Sequence, residues 1–216
     1  MRDTLLFDLD GTLLDTIDDL ATAVNHALTL HGYPTHSRTD ILAMVGNGIA
    51  SLMARALPMG KDTPDFDAVF ADFRAYYEVH KTDLTAPYAG VTEMLSGLSS
   101  AGYHIAIVSN KVDSAVRALA ARYFGSTVAV AIGERDGVAR KPAPDMINAA
   151  LCALGSTADR AFMIGDSEVD VETARNAGIP CLAVTWGFRT EAALRAAGAT
   201  TLFHTAAELT EYLKKG

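Results

Sequence analysis

The sequence predicts a doubly wound α/β fold whose mainly parallel sheet is interrupted by a small inserted α-helical domain. From residue 87 onward, short apolar segments alternate with segments of helical periodicity. Between residues 15 and 81, three helical segments follow one another without a strand. One apolar run, Leu5–Phe7, precedes them and is predicted to be the first strand of the sheet. The helical domain therefore interrupts the sheet domain directly after that strand.

Composition excludes several classes of protein. The chain has 216 residues, half of them apolar, and a formal net charge of −8, which favours a globular fold and argues against a nucleic-acid binder. No apolar run approaches the ~20 residues of a membrane span. Asp3, Asp8 and Asp10 interrupt any signal-peptide pattern, so we expect a soluble cytoplasmic protein. Its two cysteines, Cys152 and Cys181, are expected to be buried and not disulfide-bonded.

The inserted domain is predicted to contain helices over about 16–31, 39–57 and 65–81. Gly46-Asn47-Gly48 interrupts the second of these helices. Helices that follow one another in this way form a small bundle-like unit. We therefore predict a helical cap domain over residues 15–81.

The remaining segments, 1–14 and 82–216, are predicted to form one Rossmann-like core domain. Strands alternate there with helices of moderate length, which is typical of βαβ units and a parallel sheet. The strands after the first are predicted at about 103–108, 128–132, 161–164, 181–184 and, as an edge strand, 201–203. The helices are predicted at about 91–101, 114–123, 145–154, 169–177, 191–197 and 206–214.

Polar side chains follow several of these strands. Asp8 and Asp10 come after the first, Ser109-Asn110-Lys111 after the second, and Gly165–Asp170 after the fourth, while Lys141 precedes a helix. An aspartate after a strand is often only a turn or cap residue, so the inference depends on their conjunction. Strand ends of a parallel sheet meet at one edge, and clustered carboxylates repel one another unless a divalent cation lies among them. These residues predict phosphate chemistry with Mg²⁺.

These motifs, in this order, resemble those of the haloacid dehalogenase superfamily of phosphohydrolases. The resemblance rests on Asp8-Leu9-Asp10-Gly11-Thr12-Leu13, Ser109, Lys141-Pro142 and Gly165–Asp170. The helical insert after the first motif resembles that family's cap.

The resemblance implies a role for each matched residue. Asp8 is the nucleophile that forms a phospho-aspartate, and Asp10 is the general acid and base. Ser109 and Lys141 hold the phosphoryl oxygens, and Gly11, Thr12 and Asn110 belong to substrate binding. Mg²⁺ is held by the Asp8 side chain, the Asp10 carbonyl and Asp166, while Asp170 supports these ligands. A dehalogenase does not need an acid at position 10, so the pair Asp8 and Asp10 favours phosphoryl transfer.

The cap segment Val45–Leu57 resembles the corresponding segment of bacterial phosphoglycolate phosphatases. Gly46, Asn47 and Gly48 are candidate substrate-binding residues, because glycines allow close approach and free amides; the glycines could also simply bend a helix. A β-phosphoglucomutase-like enzyme is the alternative, weakened by Ile49, where that family has an arginine.

Other activities stay open at this point. They are a pyrophosphatase, a general sugar-phosphate phosphatase and, from a different class, a phospho-receiver domain, which is much shorter and has no such insert. In each enzymatic case the expected partner is a small phosphorylated metabolite, without nucleic acid or membrane, in a monomer or homodimer. Trp186-Gly187-Phe188 and Arg55 are assigned no chemistry.

Overall fold

In the computed structural model, which describes residues 2–45 and 48–215, the chain divides into two compact units. The first comprises residues 1–14 and 87–216, and the second residues 15–86. The second boundary lies later than the sequence indicates because the buried carboxylate of Asp19 accepts hydrogen bonds from the backbone of Leu84 and Thr85. Those bonds tie residues 84 and 85 to the helical unit.

The first unit is built on a six-stranded sheet in which every strand pair is parallel. Its strands are β1 (Thr4–Phe7), β4 (His104–Val112), β5 (Val130–Glu134), β6 (Ala161–Gly165), β7 (Cys181–Val184) and β8 (Thr201–Phe203). They lie in the order β5-β4-β1-β6-β7-β8. The chain builds outward from β1 on one side and then crosses to its other side, so the switch point of the sheet lies at β1.

Helices cover both faces of this sheet. They are α5 (Val91–Ser100), α6 (Asp113–Tyr123), α7 (Asp145–Leu154), α8 (Glu168–Asn176), α9 (Glu191–Ala196) and α10 (Ala206–Lys215). Leu5 and Phe7 of β1 pack in the cluster that contains α5, α6 and α10, whereas Leu6 packs in the cluster of α7 and α8. This alternation, with both faces buried, explains why the strands are continuous apolar runs. The predicted doubly wound α/β fold is confirmed.

The second unit contains α1 (Ile17–Leu30), α2 (Arg38–Met44), α3 (Ile49–Ala56) and α4 (Phe66–His80). Ser37 and Asp40 form a capping box at the start of α2. Two strands of two residues each, β2 (Leu14–Asp15) and β3 (Ala86–Pro87), pair where the chain passes between the units. Three short 3₁₀ helices complete the described elements: Gly60–Asp62, Gly125–Thr127 and Ala158–Arg160.

One expectation about the cysteines is wrong. Cys152 is exposed on α7, because the buried side of that helix is formed by Met146, Ile147, Ala150 and Leu151. Cys181 is half-buried, and burial raises the pKa of its thiol to about 12. Within the described residues, no helix has the length and apolar character needed to cross a membrane.

Candidate active site at the carboxyl edge of the sheet

Asp8 follows β1 directly and is almost fully buried. Its Oδ1 accepts a hydrogen bond from the backbone N–H of Leu9, at 2.7 Å, and lies 2.8 Å from Nζ of Lys141. Both donors therefore hold the same carboxylate oxygen and fix the orientation of the side chain.

Lys141 brings a buried positive charge to Asp8. Its Nζ also donates to Oδ1 of Asp170 at 2.7 Å, and the residue is only 4% exposed. Burial by itself would lower the pKa of Lys141, but the carboxylates of Asp170 and Asp8 outweigh burial and raise it. The lysine is therefore a permanent cation.

Asn110 holds the backbone of this lysine. The Asn110 amide donates to the carbonyl of Lys141 at 2.9 Å, and its oxygen accepts from the Lys141 N–H at 2.8 Å. The sequence assigned Asn110 to substrate binding; in the structure its amide positions Lys141.

Asp166 is the second buried carboxylate, at the end of β6. Its Oδ1 accepts from the hydroxyl of Thr12 at 2.8 Å, and its Oδ2 accepts from the backbone N–H of Phe188 at 2.7 Å. Glycine is required around it: a Cβ on Gly11 would lie 2.4 Å from Asp166 Oδ2, and one on Gly187 would lie 2.1 Å from the Gly11 carbonyl oxygen. Thr12 thus supports a carboxylate of the site.

Asp170 is the third buried carboxylate and belongs to α8. Its Oδ2 accepts from the backbone N–H and the hydroxyl of Ser167 in a capping box, at 3.0 and 2.6 Å, while its Oδ1 faces Lys141. A Cβ on Gly165 would lie 2.3 Å from Asp170 Cγ, so only glycine leaves space for this side chain. Both oxygens of Asp170 are thus engaged within the protein.

One oxygen each from Asp8, Asp166 and Asp170 lies within 4.8 Å of the others. Burial raises the pKa of Asp8 well above its ordinary range, with the charges of Asp170 and Asp166 adding to the effect and Lys141 opposing it. Burial and the charge of Asp170 raise the pKa of Asp166 from 3.8 to about 7. The three buried carboxylates carry more negative charge than the ammonium of Lys141 can offset, and these hard oxygen donors fit a divalent cation such as Mg²⁺.

Asp10 lies on the turn after β1 and its side chain is directed to a different partner. Its Oδ1 is 2.9 Å from Nζ of Lys111, which belongs to β4. Ser109, two residues before Lys111, is 2% exposed, and its hydroxyl accepts from the N–H of Lys111 at 3.3 Å. The sequence placed Lys111 in the same polar segment as Ser109 but gave it no role.

Sequence reasoning also assigned no role to Trp186-Gly187-Phe188. Trp186 Nε1 donates to the carbonyl of Thr12 at 3.0 Å, and Phe188 N donates to Asp166. This segment therefore fixes the turn after β1 and one of the buried carboxylates. The available signal was a glycine between two aromatic residues directly after a strand.

Of the three predicted cap residues, Gly46, Asn47 and Gly48, the structure describes Gly48. Gly46 and Asn47 lie outside the described residues. Gly48 precedes α3 with φ of +88°, a conformation that favours glycine. Arg55, left out of the site, donates to the carbonyl of Met44 at 2.6 Å.

Fold and site together define a doubly wound α/β protein with a cluster of buried carboxylates at the strand ends. The chain matches the model of the haloacid dehalogenase-like hydrolase family over residues 5–184 and belongs to that family.

Several individual proteins are similar to this chain over most of its length. The phosphoglycolate phosphatase of Caulobacter vibrioides is 36% identical over 205 residues, which cover 93% of this chain and 86% of the relative. That of Cereibacter sphaeroides is 37% identical over 189 residues, 86% of each chain. The crystal structure of a proposed phosphoglycolate phosphatase from Lactobacillus delbrueckii subsp. bulgaricus has a TM-score of 0.92 and 33% identity, with 99% of each chain covered.

Proposed function

We propose that this chain is a Mg²⁺-dependent phosphatase that hydrolyses a small phosphomonoester through a phospho-aspartate on Asp8, with 2-phosphoglycolate as its substrate. The observation that carries the proposal is the buried group of Asp8, Asp166 and Asp170, of which Asp8 and Asp170 pair with the ammonium of Lys141. Such an arrangement suits an anionic substrate that binds together with a metal ion. The carboxylates alone would repel the negative charge of the substrate, and the metal ion and Lys141 offset that repulsion.

Asp8 is the nucleophile in this proposal. In the described part of the chain its hydrogen bonds all reach Oδ1. Oδ2 is therefore the oxygen left for the bond to phosphorus. Attack forms the Oδ2–P bond as the ester P–O bond breaks, which leaves a phospho-aspartate.

Asp10 is the acid and base. Its proton moves to the leaving oxygen while the ester bond breaks; it then takes a proton from the water that attacks the phospho-aspartate. Phosphate leaves, and Asp8 returns as a carboxylate. The position of Asp10 on the turn that follows Asp8 supports this role, and Asp10 Oδ1 lies 2.9 Å from Nζ of Lys111.

Mg²⁺ would be held by the Asp8 and Asp166 side chains and the carbonyl of Asp10. When bound, it supplies positive charge to the phosphoryl oxygens. Asp170 has both oxygens engaged by Lys141 and Ser167, which favours a supporting role over direct coordination. Thr12 and the N–H of Phe188 orient the Asp166 carboxylate for its part in the site.

Lys141 and Ser109 would bind the phosphoryl oxygens. Lys141 is a buried cation that already touches Asp8, and Ser109 is a buried hydroxyl in the irregular part of β4 that follows Val108. Charge that develops on the phosphoryl oxygens in the transition state is thus met by preorganised donors. Asn110 contributes by holding the backbone of Lys141.

The choice of 2-phosphoglycolate rests on the relatives, since phosphoglycolate phosphatases are 36% and 37% identical over most of the chain. The resemblance of Val45–Leu57 to the cap of those enzymes supports the same choice. We place the reaction in the cytoplasm, where free thiols such as those of Cys152 and Cys181 are stable.

The test is a kcat/KM panel over 2-phosphoglycolate, β-glucose 1-phosphate, pyrophosphate and several sugar phosphates, with and without Mg²⁺. We expect 2-phosphoglycolate to be preferred by at least about tenfold, or ~1.4 kcal/mol of barrier. A smaller preference would indicate a generalist phosphatase. Asp8→Asn should abolish turnover with an unchanged circular dichroism spectrum; full activity in that variant would end the proposal.

A further inference from the structure

The end of β4 carries an irregularity that positions Lys111. Val108 pairs with Ile132 of β5 and Val112 pairs with Glu134, so three residues of β4 lie opposite the single residue Gly133. Those three residues are Ser109-Asn110-Lys111. Extra residues in one strand form a bulge, which redirects the side chains of that strand.

The neighbouring strand is built to hold this bulge. A Cβ on Gly133 would lie 2.5 Å from both the carbonyl oxygen of Lys111 and the Cα of Asp113, distances that no side chain tolerates. The N–H of Gly133 donates to Oδ1 of Asp113 at 2.9 Å. The backbone of Lys111 is therefore fixed by close packing and does not depend on its ion pair for its position.

The side chain of Lys111 reaches Asp10 from this fixed position. Its Nζ lies 2.9 Å from Asp10 Oδ1, and the two side chains are only 13% and 24% exposed. Exposed ion pairs contribute little because two mobile side chains must be ordered and water screens their charges. Here the backbones on both sides are constrained, since Gly11 N donates to the Leu14 carbonyl and closes the turn that carries Asp10.

We propose that Lys111 is a positioning residue that orients the Asp10 carboxyl group for proton transfer to the leaving oxygen of the substrate. This inference rests on the proposed function. Lys111 keeps its own proton throughout: the proton of Asp10 passes to the ester oxygen as the P–O bond breaks, and water later returns one. Misplacement of a catalytic group by about 1 Å can cost on the order of a hundredfold in rate.

The leaving group separates this role from a merely structural one. An alkoxide needs a proton as it leaves, whereas p-nitrophenolate leaves without one. Loss of Lys111 should therefore lower kcat/KM for an alkyl phosphate more than for p-nitrophenyl phosphate. The constant kcat/KM reports formation of the phospho-aspartate, and in that step only the alkoxide needs the proton of Asp10. A general defect in folding or metal binding would slow both substrates equally.

The test compares Lys111→Met and Lys111→Arg on p-nitrophenyl phosphate and on the best alkyl phosphate of the wild type. Lys81→Met is the matched control, because Lys81 is also mostly buried and pairs with Glu78 on α4, not with a carboxylate of the site. For Lys111→Met we expect kcat/KM on the alkyl phosphate to fall at least about tenfold more than on p-nitrophenyl phosphate, with KM within about threefold. Lys111→Arg should recover part of the loss, and Lys81→Met should match the wild type.

A double-mutant comparison completes the test. In the Asp10→Asn background, Lys111→Met should lower kcat/KM on the alkyl phosphate by less than about twofold, because the group that Lys111 positions no longer transfers a proton. Equal losses of kcat/KM on both substrates, or full additivity with Asp10→Asn, would overturn the inference. So would a rise in KM confined to carboxylated substrates, which would make Lys111 a substrate ligand. A wild type inactive on every ester with Mg²⁺ would instead defeat the proposed function and this inference with it.

Discussion

In the absence of divalent cations, the free energy of unfolding of this protein is expected to fall as the pH rises from about 4 to about 7. The cause is Asp166, whose pKa is raised from 3.8 to about 7 by burial and by the charge of Asp170. Between these values the folded protein binds a proton that the unfolded chain has released. The free energy of unfolding therefore falls as the pH rises, and the contribution is lost above the folded pKa.

The size of the effect follows from that displacement of the pKa. At about 1.36 kcal/mol per pH unit, a pKa that moves from 3.8 to about 7 changes the free energy of unfolding by about 4 kcal/mol. For a chain of this size, this corresponds to a shift in Tm on the order of 10 °C. Asp8, whose pKa is also raised by burial, acts in the same direction. Mg²⁺ should remove the slope, because it favours the ionised carboxylates and binds only the folded state.

The assay is urea or thermal unfolding across this pH range, in chelator and in excess Mg²⁺, for the wild type and Asp166→Asn. Asparagine can keep both hydrogen bonds of Asp166, with its amide toward the Thr12 hydroxyl and its oxygen toward the N–H of Phe188. The variant should be more stable than the wild type at neutral pH in chelator, and Mg²⁺ should stabilise it less. A flat or rising wild-type profile in chelator, or an unchanged slope in Asp166→Asn, would refute the reasoning.

Three further predictions test other parts of the structure. Gly187→Ala should reduce kcat/KM by at least about a hundredfold, because its Cβ would meet the carbonyl of Gly11 at 2.1 Å and Asp166 Cβ at 2.5 Å; wild-type activity would contradict this packing. Asp19→Ala should lower the free energy of unfolding by about 3 kcal/mol, since it removes the buried carboxylate that accepts from the N–H groups of Leu84 and Thr85 and from the Thr85 hydroxyl, as denaturant titration would measure. His31 donates a hydrogen bond to Asp72, and this bond raises the pKa of His31 in the folded protein. The protonated His31 therefore stabilises the fold fully below the unfolded pKa, and this stabilisation is lost as the pH rises through the folded pKa. His31→Leu should abolish that part of the pH dependence of the free energy of unfolding.

Sequence patterns were sufficient for the α/β alternation and for the helical insert. Strands buried on both faces are continuous apolar runs, such as Leu5–Phe7, and these stand out between amphipathic helices. The two-residue strands Leu14–Asp15 and Ala86–Pro87 were not predicted, because two residues carry no period. Cys152 was misjudged, since cysteine is usually buried but here lies on the outer side of its helix.

The sequence by itself determined which groups this protein brings to the edge of its sheet. Aspartates, a serine and a lysine after apolar runs are local signals, and the order of parallel strands sends them to one edge. The tertiary structure alone decided how these groups are paired. Lys111 reaches Asp10 through a bulge set by Gly133, and Gly187 brings the N–H of Phe188 onto Asp166. The contact between Lys111 and Asp10 joins residues 101 positions apart in the sequence, and the contact between Phe188 and Asp166 joins residues 22 positions apart. Both contacts depend on backbone packing that no local pattern of residues encodes.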